Sequence, residues 1–146
     1  MGNKEIIIKN EKAMAELAAS FAPTLKQGDV IALSGDLGAG KTSFTRALIH
    51  SVLGKDINVP SPTFTLVQMY DFPNFPLYHF DLYRLEDSEE IWALGWEDAL
   101  NEGVCIVEWP EKAEDYFPQN RIDISIKHNS DNEESRIVTV QERSQD

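Results

Sequence analysis

One stretch limits what this chain can fold into more than any other: Leu33-Ser34-Gly35-Asp36-Leu37-Gly38-Ala39-Gly40-Lys41-Thr42-Ser43. It holds the pattern G-x-x-x-x-G-K-S/T without a mismatch, with Gly38 as an additional glycine inside it. The pattern describes a phosphate cradle, and each part has a physical reason. Glycines let the backbone adopt positive φ and approach a ligand closely. Successive backbone N–H groups then face one concavity and hold anionic oxygens. A helix starting near Lys41 adds unpaired N–H donors and the positive end of its dipole. The Lys41 ammonium suits the β- and γ-phosphates of a nucleotide, and the Thr42 hydroxyl suits Mg²⁺. Gly35, Asp36, Leu37, Gly38, Ala39, Gly40, Lys41, Thr42 and Ser43 are therefore the expected cofactor-binding residues.

The context fits. Asp29-Val30-Ile31-Ala32-Leu33 is a short apolar run, as in a buried strand. Ser43 to Leu53 carries Phe44, Ala47, Leu48 and Val52 at helical spacing, and Gly54 suits a helix C-terminal cap. Strand, glycine loop and helix follow in the order a cradle requires.

Elsewhere, Ile6-Ile7-Ile8 reads as a first strand, and Asn10 caps a helix from Glu11 to about Ala22. After the cradle helix, Val59-Pro60-Ser61-Pro62-Thr63 excludes helix and favours extended backbone. Phe64–Tyr70 and Leu77–Tyr83 read as two strands joined by a proline-bearing turn, a hairpin. Asp87-Ser88-Glu89-Glu90 has the form of a capping box before a short helix that Gly95 interrupts. Val104-Cys105-Ile106-Val107 is apolar throughout, as in a central parallel strand. A short helix is expected from Pro110 to about Tyr116. Ile122–Ile126 and Ile137–Val140 read as a closing antiparallel hairpin at a sheet edge, with a frayed tail from Glu142. The expected fold is α/β: a P-loop mixed sheet with flanking helices and antiparallel hairpins, as one domain over residues 1–146.

Charge narrows the partners. The formal net charge is -12, from 25 acidic and 13 basic residues. That disfavours direct contact with DNA, RNA or an anionic membrane, since phosphates reward Lys and Arg. Cys105 is the only cysteine, so no intramolecular disulfide forms. No secretory apolar segment opens the chain and no apolar run reaches membrane-spanning length, so a cytoplasmic protein is expected.

A phosphate cradle needs an acid for its metal, and two strand-end acids qualify. Glu108 ends the run Val104–Val107, and Asp81 follows Leu77–Phe80. Glu108, with the cleaner apolar approach, ranks first for the metal beside Thr42. One acid can hold the metal or its water while the other orients the attacking water, and which does which stays open at this point. Lys41, Asp81 and Glu108 are the candidate catalytic residues. Ser61-Pro62-Thr63 is a stiff, hydroxyl-bearing loop where a nucleotide switch would sit. Trp109 stands where it could pack near the nucleotide, while His79 reads as structural. Trp92 and Trp96, four apart, suit helix packing or a partner surface, and Arg84 suits a salt bridge. No Asn-Lys-x-Asp guanine reader follows a late strand, which favours adenine and hence ATP.

Four blocks together resemble a known family. Gly35–Thr42, Ser61-Pro62-Thr63-Phe64-Thr65-Leu66-Val67, His79-Phe80-Asp81-Leu82-Tyr83-Arg84-Leu85 and Val107-Glu108-Trp109-Pro110 are similar, in order and spacing, to the TsaE (YjeE) family of small bacterial ATPases. The resemblance runs from about residue 10 to 112. It implies a P-loop fold with ATP and Mg, and a part in making threonylcarbamoyladenosine beside the tRNA anticodon. It implies two partners, TsaB and TsaD, with tRNA reached only through their complex. By position it implies Thr42 and Glu108 as metal-site residues, Lys41 and the cradle backbone as the phosphate site, and Asp81 as a residue needed for hydrolysis. It also implies Ser61-Pro62-Thr63 as the switch and Trp109 beside the nucleotide. Two rival readings are an ATP-gated scaffold with incidental hydrolysis and a small-molecule or nucleoside kinase. The second lacks an Arg-rich lid, because Arg46, Arg84, Arg121, Arg136 and Arg143 are scattered.

Overall fold

The computed structural model describes residues 3–36 and 38–143. Its framework is a seven-stranded sheet. Strands β1 (Asn3–Ile8), β2 (Val30–Gly35), β3 (Val67–Asp71), β4 (Pro76–Asp81), β5 (Val104–Glu108), β6 (Arg121–His128) and β7 (Arg136–Arg143) lie in the order β1-β7-β6-β2-β5-β4-β3. The four central strands β6, β2, β5 and β4 run parallel, and β1, β7 and β3 add antiparallel pairings outside them. The helices are α1 (Glu11–Phe21), α2 (Lys41–Leu53) and α3 (Trp96–Glu102).

The apolar alternation along the central strands builds two cores. Ile31, Leu33 and Ile106 pack with Phe44, Leu48 and Met14 beneath α1 and α2. Val30, Ala32, Cys105 and Val107 pack on the other face with Phe80, Ile91 and Trp96. Burying both faces explains why β5 is apolar through its first four residues, and all five of its residues are buried. The same alternation carries function. His79, Asp81 and Glu108 share parity with Leu77 and Ile106, so they point to the side where α2 begins.

The local elements follow sequence chemistry. The Asn10 side chain accepts from the Ala13 N–H at 2.9 Å and caps α1. Gly54, at φ 95°, ends α2. Trp96 is fully buried and its indole N–H donates to the Tyr116 carbonyl at 3.1 Å, whereas Trp92 is half exposed.

Several expectations shift. The strand expected from Phe64 starts at Val67, because the Leu66 N–H turns back to the Pro62 carbonyl at 2.6 Å and Leu66 takes φ 71°. The return strand stops at Asp81 and not Tyr83, since the Tyr83 N–H bends back to the Asp81 carboxylate at 2.9 Å. Pro110–Lys112 and Glu114–Tyr116 are two 3₁₀ turns and not one helix; the Lys112, Ala113, Tyr116 and Phe117 N–H groups all close three-residue turns. The closing hairpin is real, but β1 pairs with β7 and takes the edge itself. β7 also runs to Arg143, two residues into the expected tail. Among the described residues, no helix is long and apolar enough to cross a membrane.

Candidate functional site

The cradle sits at the carboxyl end of β2, where Gly35 is in register with Ile126 of β6. Gly35 has φ 149°, and a side-chain carbon there would fall 2.3 Å from the Ile126 carbonyl oxygen. Only glycine lets the chain leave the sheet so tightly against a paired strand. Gly40, at φ 115°, opens α2 without a side-chain cap, so the first amides of the helix remain available to an anion. Leu37 lies outside the described residues. Asp36 and Ala39 close the loop through a 3.0 Å bond from the Ala39 N–H to the Asp36 carbonyl.

Lys41 is folded into this loop. Its Nζ donates to the Gly35 and Asp36 carbonyls at 2.6 and 2.9 Å and lies 4.2 Å from the Trp109 ring centroid. Burial pushes its pKa down, and the carboxylates of Glu108, Glu111, Asp81 and Asp36 work against that shift. Trp109 is held in the left-handed region, φ 59°, between Glu108 and Pro110, and its ring packs against Tyr83 at 4.9 Å.

Parallel register brings the two acids into one row: Asp81 of β4 stands opposite Glu108 of β5, which stands opposite Leu33 of β2. Both carboxyls are buried, with residue exposures of 3% and 2%. Their partners differ. Asp81 accepts from the Thr63 hydroxyl at 2.9 Å and from the Tyr83 N–H, so both its oxygens face the loop around it. Glu108 accepts from the Thr42 hydroxyl at 3.2 Å to each oxygen, and its Oε2 is 2.5 Å from His79 Nε2. Ser61 and Thr63 bond each other at 2.8 Å, tying the expected switch loop to Asp81.

A cleft of about 300 Å³ joins these groups: Gly40, Lys41 and Thr42 on one wall, Ser61 and Thr63 on another, Asp81, Glu108 and Trp109 on the third. Its donor set is oxygen only, a hydroxyl and carboxylates, as Mg²⁺ requires. Among the described residues no group of three or more His, Cys, Asp or Glu side chains could hold a metal alone.

On the other flank of the glycine loop lies a second cleft of about 370 Å³. Met14, Ala15 and Ala47 give it an apolar wall, and Asn10, Ser43 and Arg136 give it polar ends. Arg136 donates to the Ala39 carbonyl at 3.0 Å and so braces the cradle from β7. Sequence reasoning passed over Arg136, whose link to Ala39 spans 97 positions. Among the described residues Arg84 makes no salt bridge; its guanidinium sits 5.1 Å over the ring of Phe64, which is 83% exposed.

Comparison with known proteins identifies the family. The sequence model of the family described as "Threonylcarbamoyl adenosine biosynthesis protein TsaE" matches residues 8–138. The chain is 47% identical over 130 residues to the tRNA threonylcarbamoyladenosine biosynthesis protein TsaE of Bacillus subtilis, covering 88% of this chain and 78% of that one. It is 43% identical over 120 residues to the protein of the same name from Rickettsia typhi, covering 82% and 83%. The crystal structure of YdiB from Bacillus subtilis superposes with a TM-score of 0.78 at 32% identity, over 98% of this chain and 87% of that one. The chain belongs to the TsaE family and has its P-loop nucleotide-binding fold.

Proposed function

We propose that this TsaE-family chain binds and hydrolyses ATP with Mg²⁺, and that its turnover serves the threonylcarbamoyladenosine modification of tRNA next to the anticodon. The observation that carries this reading is the convergence of Lys41, Thr42, Asp81 and Glu108 on one cleft beside a glycine loop. The role in tRNA modification rests on the names of its relatives. The chain acts on a TsaB–TsaD complex and not on the RNA itself, in keeping with its net charge of -12.

The residues divide the work. Amides of Gly38, Gly40 and Lys41 and the start of α2 hold the phosphates. Lys41 gives up the Gly35 and Asp36 carbonyls and turns its ammonium to the terminal phosphate, where opposite charge restores its proton affinity. Thr42 and Glu108 are the residues that would hold Mg²⁺, which when bound neutralises charge on the phosphate oxygens. Asp81 orients the attacking water, and its bond to Thr63 links the terminal-phosphate end to the Ser61–Thr63 loop. Trp109 covers the phosphate cleft, and the apolar second cleft takes adenine and ribose beside Ser43.

The test is ATP turnover with and without the partner pair, together with nucleotide binding. Turnover that rises with the pair and falls at least 100-fold in Lys41→Ala is expected. Absence of ATP binding, or full activity in Lys41→Ala, overturns the reading. Glu108→Ala that binds ATP, loses turnover and still sustains repeated modification cycles would favour the scaffold.

A further inference from the structure

We propose that His79 is a positioning residue for Glu108: it anchors one carboxylate oxygen and leaves the other to the cleft. The imidazole is completely buried, on the face of β4 that meets α2, two residues before Asp81. Its Nε2 lies 2.5 Å from Glu108 Oε2. An ionised carboxylate only accepts, so Nε2–H donates to it. Among the described residues Nδ1 is buried without any partner.

That unpartnered atom separates positioning from filling. A leucine would fill the same core without stranding a polar atom, and a stranded buried polar atom is costly. The imidazole therefore makes sense for what Nε2 does. Without it, Oε2 would keep only the 3.2 Å contact from the Thr42 hydroxyl, which is shared equally with Oε1. With it, the carboxylate plane is fixed by a donor from the neighbouring strand. His79 also stands on the strand that carries Asp81, so the bond sets the spacing of the two acids across β4 and β5. His79 is not among the residues that line the cleft; it acts through Glu108.

The proposal rests on the reading that Glu108 serves the metal, and its test keeps the two apart. Binding of ADP to the intact protein is measured by calorimetry across a Mg²⁺ series and in EDTA, for His79→Leu, His79→Gln, His79→Asn and Glu108→Gln. Partners one layer out from a metal typically govern about 10- to 100-fold of its affinity. His79→Leu is expected to bind ADP in EDTA as the parent does, while needing about tenfold more Mg²⁺ for the Mg-dependent gain. His79→Gln, whose amide nitrogen matches the reach of Nε2, restores most of that gain; His79→Asn, one carbon shorter, does not. If His79→Leu fails to fold, the Gln–Asn difference carries the test alone. Glu108→Gln losing its Mg²⁺ response while His79→Leu keeps it, or Gln and Asn behaving alike, overturns the positioning role only. Glu108→Gln keeping a parental Mg²⁺ response overturns the metal reading of Glu108, and this role with it.

Discussion

Replacing Gly35, Gly38 and Gly103 by alanine, one at a time, separates two costs that the fold combines in its cradle. Gly38 has φ 78° and open space where a side-chain carbon would go, so Gly38→Ala carries conformational strain alone, about 1–2 kcal/mol. Gly103 has φ -141°, which any residue adopts, but its added carbon would lie 2.2 Å from the Pro76 carbonyl oxygen. Gly103→Ala therefore carries a clash alone, about 1–3 kcal/mol by analogy with overpacked cores. Gly35 has both, φ 149° and a 2.3 Å approach to the Ile126 carbonyl, with the obstacle in the backbone of a paired strand that cannot swing away. Its two costs add to about 2–5 kcal/mol, a large part of the roughly 5–15 kcal/mol that holds a domain together. Urea denaturation reads the series, with an unchanged slope as the check that only stability moved. Gly35→Ala should lose the most and the other two less. Gly38→Ala as costly as Gly35→Ala, or a neutral Gly103→Ala, would refute the geometric argument.

Two further outcomes follow from titrating groups. Lys41 has a pKa below its ordinary 10.5 because it is buried, so its charge weighs against the empty fold below that lowered pKa. The penalty lifts as pH rises through the window up to 10.5. Bound phosphates supply the missing counter-charge, so ADP binding in that alkaline window should take up a proton; calorimetry in two buffers of different ionisation heat should show the uptake, and Lys41→Met should lack it. Burial pushes the Cys105 thiol up to about 12, from an ordinary 9.0. At pH 8 the native thiolate is then roughly one in ten thousand, against about one in ten unfolded. Iodoacetamide should label it only as the protein unfolds, and rapid native labelling would contradict the buried placement. The sign for stability follows: the Cys105 contribution is present below pH 9.0 and is lost as pH climbs toward 12.

Local chemistry made much of the site legible. Gly35 to Thr42 needs only its own neighbours to form a cradle, and Asn10 and Gly54 announce their helix ends. Asp81 and Glu108 were identifiable because a parallel strand ends in the polar crevice that its apolar run points to. What sequence could not supply was pairing. β1 lies 128 or more positions from the partner residues that make it the edge strand, and no local pattern encodes that choice. Arg136 reaches Ala39 across 97 positions. His79 illustrates the same limit: its surroundings read as core, correctly, but its partner Glu108 sits 29 positions away. The sequence ranked Glu108 first for the metal but left the division of roles between the two acids open. Their hydrogen bonds separate them, one turned to the Thr63 loop and the other to the cradle helix. The late start of β3 was hidden because Phe64-Thr65-Leu66 has strand composition, whereas the turn is set by a carbonyl at Pro62.

Backbone strain points to the same place as the side chains. Among the described residues two non-glycine residues have positive φ, Leu66 and Trp109; Trp109 lines the cleft, and Leu66 is bonded through its carbonyl to the N–H of Asp81, which lines it too. Each costs on the order of 1–2 kcal/mol relative to ordinary backbone, so each persists only where its surroundings over-determine it. Leu66 is fixed on both sides, its N–H bonded to the Pro62 carbonyl and its carbonyl accepting from the Asp81 N–H. That second bond fastens the loop bearing Thr63 to the strand bearing Asp81 through backbone as well as side chain. Trp109 turns sharply between Glu108 and Pro110, and the turn delivers its ring onto Lys41, with Tyr83 packed against it. An unstrained residue at either point would carry the chain straight on from its strand. The cleft would then lose the Trp109 ring on one side and its hydroxyl-bearing loop on the other. The strain is thus spent where a ligand's terminal phosphate and its surroundings would have to be read together, and the rest of the sheet is regular enough to carry it.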